Sequence, residues 1–397
     1  MKPLQDLTDI SRYYGNQKDY TLAGGGNTSW KDDKYIWVKA SGISLASINK
    51  DGFVKLEREK VKITGTKNYS KDPHTREAQV KEDLIASIAD PSTQKRPSVE
   101  TSLHELLEYP FVVHLHPTLT NSLTCSMHAE EKTRELFGNE VMFTGYAAGY
   151  QLFKNIQNEI TSYRERFNKD PRIIFMKNHG VFVSGDSVSE IKSLYKYITV
   201  TIKRELHNSL KIKNLTVKDN VKNILPALRL LLSEDNVKLL KIRHNTLIQH
   251  FYSSEQNFKK VALPFTPDII VYCKSRYLYL EDSSSPENII QEAESKIKIF
   301  RKKYGYLPQI IMIRDYGLVA SGDTAVAAGT TLDVYEDLLQ ISYNSESFGG
   351  PHFMKEKDIS FIENWEVENY RRKIADGQRL STIANQKIVI VTGGAQG

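Results

Sequence analysis

The feature that most restricts how this 397-residue chain can fold is an internal echo. Sliding the sequence by 137 positions lays residues 171–187 (PRIIFMKNHGVFVSGDS) over residues 308–324 (PQIIMIRDYGLVASGDT), with seven identities in seventeen. Each stretch reads as an apolar strand, a glycine-containing turn, a second strand, and Ser-Gly-Asp leading into a helix. A chain carrying this pattern twice is expected to build layers of sheet and helix, the later copy being a degenerate repeat. Two unrelated units of similar pattern are the alternative. The copies differ chemically: His179 in the first becomes Tyr316 in the second, so the second is not expected to do what His179 does.

The first two hundred residues alternate the two periodicities. Residues 35–38, 111–116 and 173–176 are rich in β-branched and aromatic side chains and read as strands. Residues 76–89, 129–137, 150–167 and 188–206 read as helices, several with acidic first turns and basic last turns. An α/β layered domain over residues 1–210 follows. Residues 211–262 read as a basic helical connector, with helices at 221–232 and 236–250, and 263–350 as a smaller second α/β unit. Phe348-Gly-Gly-Pro-His352 breaks that unit off, and 351–385 read as a helical linker with a short charged helix at 364–375. Residues 386–397 change character again. Lys387-Ile-Val-Ile-Val391 has the look of a buried parallel strand, and Thr392-Gly-Gly-Ala-Gln-Gly397 that of the glycine turn opening a Rossmann domain.

Charge and composition exclude several function classes. The net charge of +6 is confined to residues 201–260, where twelve Lys or Arg face five Asp or Glu; the rest carries 42 basic and 43 acidic residues. Without interleaved aromatics, that segment reads as a solvated helical face, and no nucleic-acid partner is expected. No uninterrupted apolar run reaches membrane-span length, so no membrane partner is expected. The two cysteines, Cys125 and Cys273, are too few for a disulfide framework, and no leader pattern opens the chain, which together suggest a cytoplasmic protein.

Candidate chemistry sits in the first half. His114-Leu115-His116 lies in an apolar run, and residues two apart on a strand share a face, so both imidazoles would project together. A shared metal ion resolves the crowding of two such rings, although a solvent-facing pair fits the same pattern. His179, in the turn Lys177-Asn178-His179-Gly180, is a possible third ligand or a turn histidine. Three neutral histidines and an open position make a catalytic divalent site. Glu100, just upstream of an apolar helix, is either the acid needed nearby or a helix-start carboxylate. The glycines of Gly24-Gly25-Gly26-Asn27-Thr28-Ser29, and Ser41-Gly42, suit an anion cradle or ordinary turns.

Taken in order, Gly24-Gly25-Gly26-Asn27-Thr28-Ser29, Ser41-Gly42, Pro97-Ser98-Val99-Glu100, His114-Leu115-His116-Pro117 and Asn178-His179-Gly180 resemble the class II aldolase/adducin family over roughly residues 1–205. The overall layout is similar, more loosely, to the bifunctional class II aldolase/short-chain dehydrogenase proteins. The resemblance implies an αβα layered domain with a central, mainly antiparallel sheet. It implies His114, His116 and His179 as ligands of Zn2+ or another divalent metal, and Glu100 as the catalytic acid/base. Asn27, Ser41, Gly42 and Ser98 would hold the substrate phosphate, a role put in doubt by Val99, where such aldolases often have a second serine.

The implied activity is reversible cleavage of a ketose 1-phosphate, rhamnulose 1-phosphate being the leading candidate, to dihydroxyacetone phosphate and lactaldehyde. The other options are a sugar-phosphate 4-epimerase, whose members tend to carry aspartate at the position of Glu100, and a non-catalytic adducin-like module lacking the metal ligands. The resemblance also implies a homo-oligomer, a tetramer, with Tyr146 or Tyr150 as a guess for the remaining base. NAD is expected only where a complete dehydrogenase domain follows.

Overall fold

The computed structural model describes residues 2–207, 210–234 and 236–366. Seven strands form the larger sheet: β1 (Asn27–Lys31), β2 (Tyr35–Lys39), β3 (Phe53–Glu57), β4 (Phe111–Leu115), β5 (Met142–Thr144), β6 (Ile173–Met176) and β7 (Gly180–Gly185), in the order β3-β2-β1-β4-β7-β6-β5. Every pairing is antiparallel except β5 with β6.

The alternation along β4 explains the layering. Phe111, Val113 and Leu115 face a core shared with Leu7 and Ile10 of helix Lys2–Gly15 and Ile191 and Ile198 of helix Val188–Arg204. Val112 faces the opposite core, with Leu152, Ile156 and Ile160 of helix Gly149–Phe167. Helices therefore cover both faces, as expected for an αβα arrangement.

The smaller sheet contains β8 (Leu239–Arg243), β9 (Leu278–Leu280), β10 (Ile310–Ile313) and β11 (Gly317–Gly322), in the order β8-β11-β10-β9. Its registers reproduce those of the larger sheet. Ile173 opposite Val183 recurs as Ile310 opposite Ala320, and Met176 opposite Gly180 as Ile313 opposite Gly317. The parallel neighbour β5 has its counterpart in β9, and the antiparallel neighbour β4 in β8. The 19-residue helix Gly149–Phe167 likewise matches the 19-residue helix Pro286–Tyr304. The echo is thus a repeat of four strands and their helices, wider than the seventeen aligned residues.

One sequence expectation is corrected. The helix expected over residues 236–250 is instead strand β8, followed by helix Thr246–Tyr252, whose start is capped by Asn245 accepting from the Ile248 N–H. The run Leu239-Leu240-Lys241-Ile242-Arg243 carries apolar residues at period two, and Leu240 and Ile242 pack on the core around Ile311 and Val319. The open edge of β11 supplies the hydrogen-bond partners that select strand over helix. The segment read as a helical connector therefore contributes an edge strand to the second sheet. The expected helix at 76–89 is found three residues earlier, at Pro73–Ala86, because Asp72 caps it by accepting from the Thr75 N–H. The Rossmann-like stretch at 386–397, and nearly all of the helix expected at 364–375, lie outside the described residues.

Candidate metal and catalytic site

Antiparallel pairing of β4 with β7 brings the end of one strand to the start of the other, and with it the three histidines. His114 lies opposite Phe182 in β7 and opposite Asn27 in β1. It is fully buried and stacked on the Phe182 ring, with centroids 4.3 Å apart. His116 follows the strand, and His179 sits in the β6–β7 turn, where Asn178 takes a left-handed φ of 54°. Candidate ligand nitrogens of all three rings lie within 4.8 Å of one another. Gly180 permits the approach: a Cβ there would lie 2.5 Å from the Leu115 carbonyl oxygen and 2.6 Å from His116 Cδ2.

The outer nitrogens define the tautomers. His114 Nδ1–H donates to the Val181 carbonyl at 3.1 Å, and His116 Nδ1–H donates to Asp268 Oδ2 at 2.5 Å. The two Nε2 atoms then face each other across 2.9 Å. In neutral rings both carry lone pairs, so this arrangement needs something electropositive between them. Protonation is opposed at His114, whose burial pushes its pKa well below the usual histidine range. A donor set of three converging, largely buried imidazoles fits a divalent cation.

Glu100 faces the same point. It precedes helix Thr101–Leu106, yet its side chain caps no N–H of that helix. Oε1 lies 3.5 Å from the Nε2 atoms of both His114 and His179, and Oε2 accepts from the Asn27 amide. Burial alone would raise the Glu100 pKa, but positive charge at the point where the histidines converge, together with the Asn27 hydrogen bond, outweighs this and holds it down at about 2. The ionised form therefore prevails at neutral pH.

Behind Glu100 runs a buried chain of hydrogen bonds. Asn27 Oδ1 accepts from His104 Nε2, and His104 Nδ1 contacts Ser29 Oγ at 2.7 Å. This fixes the Asn27 amide with its NH2 on Glu100. Burial lowers the His104 pKa to about 3, so the ring stays neutral. The Lys31 ammonium holds the end of helix Thr101–Leu106, donating to the His104 carbonyl at 2.7 Å and to that of Leu107.

Asn27, Ser41, Gly42 and Ser98 all line one cavity with Glu100, His116 and His179. A bridge between Ala40 and Pro97 sets the two loops side by side. Their roles there differ. The Ser98 hydroxyl accepts from Asn27 Nδ2 and from the Glu100 N–H, both at 3.2 Å, so it positions the carboxylate. The Ser41 N–H donates to the Arg96 carbonyl, and Gly42 occupies a φ of 83°. The glycine tract is less open than the sequence suggested: the Gly24 N–H donates to Tyr272 Oη, and that of Gly25 to the Leu22 carbonyl. Tyr150 lines the cavity, but its hydroxyl donates to the Thr64 carbonyl at 3.0 Å, while Tyr146 packs with Ile270 and Met354.

Three participants escaped the sequence reading. Lys39 and Arg96 bring positive charge to the cavity, and Asp268 of the second unit reaches His116. Lys39 and Arg96 flank the Ser41 and Ser98 motifs directly, which is a usable signal. Asp268, in Thr266-Pro267-Asp268, reads only as an acidic first turn of helix Pro267–Cys273.

The family profile described as "Class II Aldolase and Adducin N-terminal domain" matches residues 5–204. The chain belongs to the class II aldolase and adducin family. Among curated proteins it is similar to "Uncharacterized oxidoreductase YuxG" of Bacillus subtilis, 23% identical over 437 residues. That match covers 100% of this chain and 61% of the relative, so the chain spans about three fifths of the relative's length. Solved structures with similarity include the N-terminal class II aldolase domain of a conserved Thermoplasma acidophilum protein, 26% identical, covering 51% of this chain and 92% of that one, TM-score 0.43. Another is the L-fuculose-1-phosphate aldolase of Thermus thermophilus, 14% identical, covering 51% of this chain and 94% of that one, TM-score 0.34. In the second unit, the register that places His114 opposite Phe182 places Ile242 opposite Val319. Tyr316 replaces His179, so the repeat of the family's sheet has not kept the histidine triad.

Proposed function

We propose that this protein is a zinc-dependent aldolase that reversibly cleaves a ketose 1-phosphate, with rhamnulose 1-phosphate as the leading substrate. The observation that carries this reading is the convergence of three imidazoles on one point faced by an ionised carboxylate. Lys39 and Arg96, beside Ser41 and Ser98 in the same cavity, supply charge and hydroxyls suited to a phosphate.

His114, His116 and His179 would hold the cation, which when bound supplies several kcal/mol of stabilisation to negative charge developing on the substrate oxygens. Neutral ligands leave its double charge undiminished. Glu100 handles the carbon-bound proton. In the condensation direction its carboxylate accepts the proton from C3 of a dihydroxyacetone-type donor, and in cleavage it returns that proton after the C3–C4 bond breaks. Asn27 and Ser98 keep Oε1 aimed at the reacting centre, and neutral His104 keeps Asn27 in the orientation that donates to Glu100. The apolar cavity neighbours Leu103, Leu152 and Phe153 limit the access of water to this proton transfer.

Protein purified without chelator should contain about one divalent ion per chain and release an aldehyde from a panel of ketose 1-phosphates. Glu100→Gln should lower turnover by about 10²–10⁴-fold while the ion stays bound. Absence of both metal and aldehyde release in the unaltered protein would reject the proposal; full turnover in the variant would remove Glu100 from its role.

A further inference from the structure

The second unit does not simply flank the aldolase-type unit; it grips both segments that carry the converging histidines. Helix Pro267–Cys273 sends Asp268 from its first turn to His116, with Oδ2 accepting from Nδ1 at 2.5 Å. One turn later, Tyr272 accepts the Gly24 N–H at 3.0 Å. Gly25 makes the docking possible, since a Cβ there would lie 2.6 Å from Asp268 Oδ2 and 3.4 Å from His116 Nδ1. On the other side, Asn178, next to His179 and 1% exposed, donates from Nδ2 to the carbonyls of Phe265 at 3.0 Å and His352 at 2.7 Å. Its Oδ1 meets His352 Nδ1 at 3.0 Å.

We propose that Asp268 is a positioning residue of the metal site, contributed by the degenerate repeat to the unit that kept the histidines. The inference rests on the metal reading above. By accepting from Nδ1, the carboxylate holds the His116 ring in one tautomer and one rotation, with Nε2 turned toward Nε2 of His114. Its negative charge, only 15% exposed at the side chain, makes the opposite nitrogen a stronger donor to a cation. The family profile ends at residue 204, so this contact comes from a part of the chain that the profile does not contain. The repeat, having lost its own histidine set, supports the site of its counterpart.

The test uses the whole chain, stripped of metal and titrated with Zn2+ against a chromophoric chelator. Asp268→Ala should weaken zinc binding by about 10–100-fold. Asp268→Asn, which still offers an oxygen to Nδ1 but no charge, should fall between the alanine variant and the unaltered protein. Thermal unfolding of the metal-free proteins checks that each variant is folded; if the alanine variant is not, the isosteric asparagine variant carries the comparison. Zinc affinities within about twofold of the unaltered protein in every folded variant would overturn the role of Asp268 and leave the metal site standing. Failure of the unaltered protein itself to bind zinc would overturn the metal reading, and this inference with it.

Discussion

At the residue scale, the site is organised by groups that burial keeps neutral. His104 titrates at about 3 in the fold, against about 6.5 in an unfolded chain. Between those values the unfolded state binds the extra proton, so this ring's contribution to stability is complete above about pH 6.5 and is lost as the pH falls. At about pH 5 this one ring costs about 2 kcal/mol relative to neutral pH. Denaturant unfolding of metal-free protein should therefore show stability declining from about pH 7 to about pH 5. His104→Gln, which removes the titration and keeps a donor for Asn27, should flatten that decline by about the same amount; an unchanged slope would contradict the neutral state of the ring. His114 acts in the same direction, since burial also drives its pKa down. Local sequence singled out the three histidines and Glu100 as candidates only when their motifs were taken together in order. Those motifs did not reveal that Asn27 and Ser98 serve the carboxylate, because hydrogen-bond partners 71 to 73 positions apart leave no trace in local sequence.

At the element scale, the repeat shows which local signals survive divergence. Ser187 caps helix Val188–Arg204 by accepting from the Glu190 N–H, and Thr324, its counterpart 137 positions on, caps helix Ala325–Ser345 by accepting from the Ala327 N–H. In the first copy Glu190 also reaches back to the Asp186 N–H at 2.8 Å. Each cap satisfies an N–H that the helix cannot. Ser187→Ala and Thr324→Ala should each lower stability by about 1 kcal/mol, measured by denaturant unfolding; a change near zero in both would mean that the caps are replaced by water without loss. Strand β8 is the opposite case. Its five residues are compatible with helix on their own, and the free edge of β11 decided the outcome. Propensity is a weak prior wherever a row of unpaired backbone groups awaits a partner.

At the scale of the whole molecule, the two units are joined by buried polar contacts. Thr118 donates to Asp337 at 2.5 Å, Asn344 donates to Ser122 at 3.2 Å, and Asn178 reaches Phe265 and His352. Asn178→Ala strands several of these partners and should cost about 2–4 kcal/mol. Because the contacts span both sheets, thermal unfolding of the unaltered protein should give one transition, and of this variant two separable ones or a single one at clearly lower temperature; an unchanged transition would show that Asn178 does not join the units. The sequence by itself determined the layered α/β class and the pattern of the repeat, and through the resemblance of its motifs it singled out His114, His116, His179 and Glu100 as candidates. The class and the repeat follow from period-two and helical patterns, and the candidates from five motifs occurring in one order. Only the tertiary structure decided that β8 is a strand, that the glycine tract is occupied by Tyr272, and that Asp268 stands behind His116. Each of these depends on which surface meets which, and such meetings are set by packing between segments far apart in the chain.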